Sequence, residues 1–132
     1  MLKRNKRFLM LLLALALPFG CVGCSHSGSA SYEQISGAKA KSLMDSESGY
    51  VIIDARTQEE YNEGHIPESI LIPYDEIADR AENELTDKNQ LILVYCRSGR
   101  RSKLAADELV KLGYTNVKEF GGIIDWEYDI VK

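Results

Sequence analysis

The chain has 132 residues, enough for one domain, with 45% hydrophobic and 27% charged residues, and no self-similar period, which excludes a repeat array. Sixteen Lys and Arg stand against twenty Asp and Glu; four of the basic residues lie in the first seven positions, so the rest of the chain carries about −8. That acidic balance argues against nucleic acid as a partner.

Lys3, Arg4, Lys6 and Arg7 precede twelve mostly apolar residues, 8–19, a run too short to span a bilayer comfortably and of the length of a signal-peptide core. Residues 1–23 are therefore read as an export signal. The end of this stretch, Gly20-Cys21-Val22-Gly23-Cys24-Ser25, resembles a bacterial lipobox with Cys24 as the lipidated residue. Gly23 and Val22 are usual before such a cysteine, Phe19 and Pro18 before Cys21 are not, and Cys21 stands where Leu is usual. An uncleaved anchor and ordinary signal cleavage are the alternatives. The reading places the domain outside the cytoplasm, lipid-anchored on the outer face of a bacterial cell membrane. Residues 24–31 form a Ser/Gly tether in which His26 is solvated. With Cys21 removed and Cys24 blocked, Cys96 is the one free cysteine, and an internal disulfide is excluded.

The domain itself is predicted over residues 32–132. A short strand at 32–35 leads to a helix capped by Ser36 and running to about Asp45. Residues 50–55, YVIIDA, form a strong strand, apolar until Asp54 near its carboxyl end. Thr57 and Glu60 make a capping box for a short helix at 58–62, which leaves through Gly64-His65-Ile66-Pro67. A strand follows at 70–72, then a helix opened by Pro73 and Asp75 and running to about Glu84. Residues 91–95 form a short continuous apolar run suited to an interior strand. From Ser102 a helix gathers Leu104, Ala105, Leu109 and Leu112 on one face and ends at Gly113. A last strand, 117–120, turns through Gly121-Gly122 into a helical segment containing Trp126. Strands alternating with helices predict an α/β fold: an open, mostly parallel five-stranded sheet with helices on both faces and its ligand site at the strand carboxyl ends.

Cys96 sits at such an end, followed by Arg97, Ser98, Gly99, Arg100, Arg101 and Ser102. Backbone N–H groups in a tight loop that enters a helix N-terminus form an anion cradle. Gly99 lets the loop fold back, and the cradle, with the three arginines adding cationic charge, is expected to lower the thiol pKa. A thiolate so held is a nucleophile near neutral pH and needs no separate base. Arg97 and Arg100 are placed to attract an anionic donor, whereas Arg101, at the helix start, is placed to face the protein. Without this loop, Cys96 would read as a small buried hydrophobe. Asp54, Arg56 and Glu60 read as an ion-pair and capping cluster that fixes the loop after the second strand, His65 as a ring that satisfies backbone groups in its turn, and Trp126 as core.

VIIDARTQEEYNEGHIPESILIP, VYCRSGRRS and the stretch from Leu112-Gly113-Tyr114 to Gly121-Gly122 with Asp125-Trp126 together resemble a single rhodanese homology domain over residues 32–132. Glu68 departs from the family's usual Gly. The resemblance implies a sulfurtransferase in which Cys96 takes the outer sulfur of a small anionic donor such as thiosulfate as a persulfide. The sulfur then passes to a thiol or cyanide, or to a redox protein. The N–H groups of residues 97–102 would hold the persulfide, with no metal or organic cofactor. A monomer is expected. Two rivals remain open at this level. Cysteine phosphatases and arsenate reductases place Arg where Ser102 stands here, and a tethered sulfur-binding module would hold a persulfide without turnover.

Overall fold

The computed structural model describes residues 30–132; the signal segment, Cys24 and most of the tether lie outside the described residues. Five strands form one sheet: β1 (Glu33–Gln34), β2 (Val51–Asp54), β3 (Ile70–Leu71), β4 (Ile92–Cys96) and β5 (Val117–Gly122), in the order β1-β5-β4-β2-β3. Every pairing is parallel, so the mostly parallel sheet expected from the alternating pattern is wholly parallel. The four helices are α1 (Gly37–Ser46), α2 (Gln58–Glu63), α3 (Ile77–Glu84) and α4 (Arg100–Lys111).

The apolar run of residues 91–95 becomes the central strand because both its faces are covered. Ile92 and Val94 pack with Ala81 of α3, Leu85 just beyond its end, and Ala105, Ala106 and Leu109 of α4. Leu93 and Tyr95 pack on the other side with Ala40 of α1, Ile66 and Phe120, against which Trp126 leans. Each such aliphatic side chain removed from water stabilises the fold by roughly 1.5–3 kcal/mol. Ser36 caps α1 through the Lys39 N–H, and the Thr57–Glu60 capping box opens α2.

Local departures from the predicted elements have simple causes. A 3-10 turn, Tyr74–Glu76, precedes α3, closed by the Glu76 N–H on the Pro73 carbonyl. Helix α4 begins two residues before Ser102. Its buried face is Ser102, Ala105, Ala106 and Leu109, while Leu104, expected inside, is 46% exposed. Strand β5 continues through Gly122, and the expected terminal helix is a 3-10 turn, Ile123–Asp125, with Trp126 just beyond it. Trp126 lies between Phe120 and Tyr128, with ring centroids 5.6 and 4.8 Å away. Glu68 takes φ 66°, the left-handed conformation that a glycine adopts without strain.

Candidate active site

The pairing of β4 with β5 shifts register between Val94 and Cys96, which sets Cys96 opposite Gly122. Such a bulge re-aims the side chain beyond it. Cys96 is a free thiol only 1% exposed. The chain then turns at Gly99, whose φ of 107° is open to glycine and strained for other residues, and enters α4. The Gly99 N–H donates to Cys96 Sγ at 3.0 Å, and Ser102 Oγ lies 3.3 Å from the same sulfur. Burial alone would push the thiol up. Hydrogen bonds from the Ser102 hydroxyl and from the N–H groups of Ser102, Gly99 and Ser98 outweigh it and hold the thiol below its ordinary value. The lowering therefore comes chiefly from the loop's own donors, as the amide cradle led one to expect, and not from the arginines that were expected to add to it. Arg97 and Arg100 are exposed, where water screens their charge.

Two residues of β5 complete the site, and neither stands out in the sequence. A Cβ at Gly122 would lie 2.0 Å from the Arg97 carbonyl oxygen and 2.6 Å from Ser98 Cα, so the cysteine loop crosses β5 where only glycine fits. Glu119 is 2% exposed; it accepts from the Ser102 hydroxyl at 2.6 Å and from the Gly121 N–H at 2.8 Å. An acidic residue in a strand reads as solvent-facing, and Gly121-Gly122 as a mere turn. The doubled glycine was the one available signal; its place opposite the cysteine is set by the sheet.

Residues 36–129 match the family described as Rhodanese-like domain. The chain belongs to that family. Thiosulfate sulfurtransferase PspE of Escherichia coli is 40% identical over 80 residues, covering 61% of this chain and 77% of that protein. Adenylyltransferase and sulfurtransferase UBA4 of Candida albicans is 34% identical over 96 residues, covering 67% of this chain but only 22% of its own length. A solved rhodanese with anions from E. coli superimposes with a TM-score of 0.60 at 37% identity, over 64% of this chain and all but 1% of that one. SSP1007 of Staphylococcus saprophyticus gives a TM-score of 0.67 at 26% identity, over 76% of this chain and 99% of that one.

Around the loop of this rhodanese-like domain, the remaining sequence candidates form two clusters. Arg56 pairs with Asp54 through Nε and Nη2, the shortest contact 2.7 Å, and also donates to the Gly64 carbonyl. The Tyr95 hydroxyl donates to Asp54 at 2.6 Å and accepts from the Ile66 N–H. Burial, then the Asp54 charge and its hydrogen bond, push the Tyr95 phenol far up. Glu60 does not join that pair: it takes the Arg101 guanidinium in a two-pronged bridge at 2.7 and 2.8 Å. The hydrogen bond from Arg101, opposed by burial and aided by Thr57, lowers the Glu60 carboxyl to about 2. Arg101 thus braces the start of α4 against α2. His65 stacks on Tyr61 with centroids 3.7 Å apart, and its Nδ1 meets the Tyr61 carbonyl at 2.9 Å. Its backbone pairs with Val131.

Proposed function

We propose that this chain is a sulfurtransferase that carries sulfane sulfur on Cys96 as a persulfide. The observation that supports it most directly is the Cys96 thiol itself, buried at the mouth of an amide loop with the Gly99 N–H 3.0 Å from sulfur and held below its ordinary pKa. The thiolate attacks the outer sulfur of thiosulfate; a new S–S bond forms, the donor's S–S bond breaks, and sulfite leaves with the electron pair. Cyanide or a thiolate then attacks the outer sulfur and Cys96 departs as thiolate. The two half-reactions make a ping-pong cycle that needs no metal or organic cofactor. N–H groups of residues 97–102 hold the anionic sulfur, and exposed Arg97 and Arg100 draw in the dianion. The names of PspE and UBA4, and a related rhodanese solved with anions, are in keeping with this reading.

A phosphatase would need a guanidinium free to clamp an oxyanion. Arg101 is committed to Glu60, and the place reached after five intervening residues beyond the cysteine, where such a phosphatase loop carries its arginine, is taken by Ser102, so that reading is the weaker one. The decisive experiment is the intact mass of residues 25–132 before thiosulfate, after it, and after cyanide. One sulfur atom gained and then lost, with no gain in Cys96→Ser, is the expected result. An unreactive but folded protein overturns the proposal. In the cell, we place the domain outside the cytoplasm, tethered to the membrane through Cys24, working as a monomer on a small anionic donor and a thiol or cyanide acceptor, with a redox protein as one such thiol.

A further inference from the structure

The sulfur-transfer scheme leaves one buried acid unused. Glu119 Oε1 lies 2.6 Å from Ser102 Oγ, which lies 3.3 Å from Cys96 Sγ, and all three residues are buried, Ser102 completely. A hydroxyl carries one proton and two lone pairs. Its 2.6 Å contact with Glu119 has the length of a charge-assisted bond, so the proton points at the carboxylate and a lone pair faces the thiol. The Gly121 N–H fixes Oε1 from another side at 2.8 Å.

We propose that Glu119 accepts the Cys96 proton through the Ser102 hydroxyl. The Sγ–H bond breaks as an Oγ–H bond forms, the original hydroxyl proton moves to Glu119 Oε1, and the electron pair stays on sulfur. Ser102 then donates to the thiolate that it has helped to make. When Cys96 leaves the persulfide as thiolate, the same hydroxyl meets the returning charge. Glu119 touches no reacting atom; it positions the Ser102 proton and takes it.

The groups facing Glu119 come from three neighbouring elements. From β1, Gln34 Nε2 donates to Oε2 at 3.4 Å, and Tyr32 precedes that strand, its phenol pushed up by burial and then by the fields of Asp107 and Glu119. From β4 comes Cys96, and from α4 come Ser102 and, further along, Asp107. Lys118, next to Glu119 on β5, is paired with Glu33.

The inference rests on the proposed role of Cys96, but its test needs no sulfur donor. On the purified full chain, the rate at which iodoacetamide alkylates Cys96, read by mass on the Cys96 peptide, is measured from about pH 5 to about pH 10, spanning the ordinary thiol range. Glu119→Gln should be slower by about a hundredfold at the acid end, the lower range for a positioned base. It should match the unaltered chain at the alkaline end, where hydroxide takes the proton unaided. Ser102→Ala should lose the same acid limb, and the double variant should be no slower than either single one, because a relay fails as a unit. Coincident profiles, losses equal at every pH, or additive losses each overturn the proposal. If circular dichroism shows Glu119→Gln unfolded, Glu119→Asp takes its place, its shorter side chain drawing the carboxylate back from Ser102: loss of the acid limb supports the relay and an unchanged profile overturns it. Failure of sulfur transfer with the acid limb intact would instead remove the function proposed above and leave the relay standing.

Discussion

Arg97 and Arg100 follow the cysteine closely in the chain, yet they are exposed, and neither side chain bonds another among the described residues. Under the proposed function their effect is on the approach of donor and not on the state of sulfur. Arg97→Ala and Arg100→Ala should each raise the thiosulfate KM about twofold to fivefold, the scale of a water-screened ion pair, with kcat changed less. Steady-state kinetics checks this, and unchanged KM values would leave the two side chains without a role in binding. The residues that act on the sulfur directly were legible because they are neighbours in sequence: Cys96, Gly99 and Ser102 fall within seven positions, and a tight loop before a helix brings their donors inward. Glu119 was not legible, since the pairing of β4 with β5 that brings it under Ser102 is set by non-local contacts. Similarly, Glu60 was read with Asp54 and Arg56 from spacing alone, whereas its partner Arg101 comes from a helix 41 positions on.

Among the elements, β5 governs whether the cysteine loop can sit at all. Gly122 approaches the loop backbone so closely that Gly122→Ala must move backbone and not a flexible side chain. It should destabilise the domain by about 1–3 kcal/mol, as other overpacking changes do, and lower sulfur transfer at least tenfold, read by denaturant melts and by turnover. Full activity would show that the loop can ride higher. A second consequence concerns β4. Tyr95→Phe removes the hydroxyl that Asp54 accepts from and should cost about 1–3 kcal/mol of stability, because a buried carboxylate loses a donor. Strands β2 and β4 were readable to within a residue because burial on both sides of the sheet leaves unbroken apolar runs, and α1 and α2 because Ser36 and the Thr57–Glu60 box mark their starts. The start of α4 was hidden because Arg100 and Arg101 carry no apolar period, and the terminal turn because Gly-Gly suggested the strand had ended.

At the level of the whole molecule, acid should loosen the brace between α2 and α4. Glu60 is ordinarily protonated near 4.5 and in the fold near about 2, so its folded pKa is depressed. The stabilisation is present above the unfolded value and is lost as pH falls from 4.5 toward 2. Solvent screening of this partly exposed pair reduces it to about 1–2 kcal/mol. The stability gap between the unaltered domain and Glu60→Gln should close over that interval, as measured by urea unfolding at successive pH values; a constant gap would assign the loss to packing. The proposed tether has its own test at this scale, in which Cys24→Ala should move the protein from the membrane fraction to the soluble one, and retention would indicate an uncleaved anchor. The α/β architecture with its parallel sheet was legible from the alternation of elements alone.

Trp126 is the sole tryptophan of the chain. It rests on Phe120 and Tyr128, covers Gly37 at the start of α1, and donates its indole N–H to the Asp129 carbonyl. Tryptophan emission in this molecule is consequently a gauge of how the carboxyl-terminal tail is seated. A melt followed by emission and one followed by circular dichroism coincide only if the tail lets go together with the sheet. Earlier loss of the optical signal would mark the tail as a separate, weaker unit of the fold.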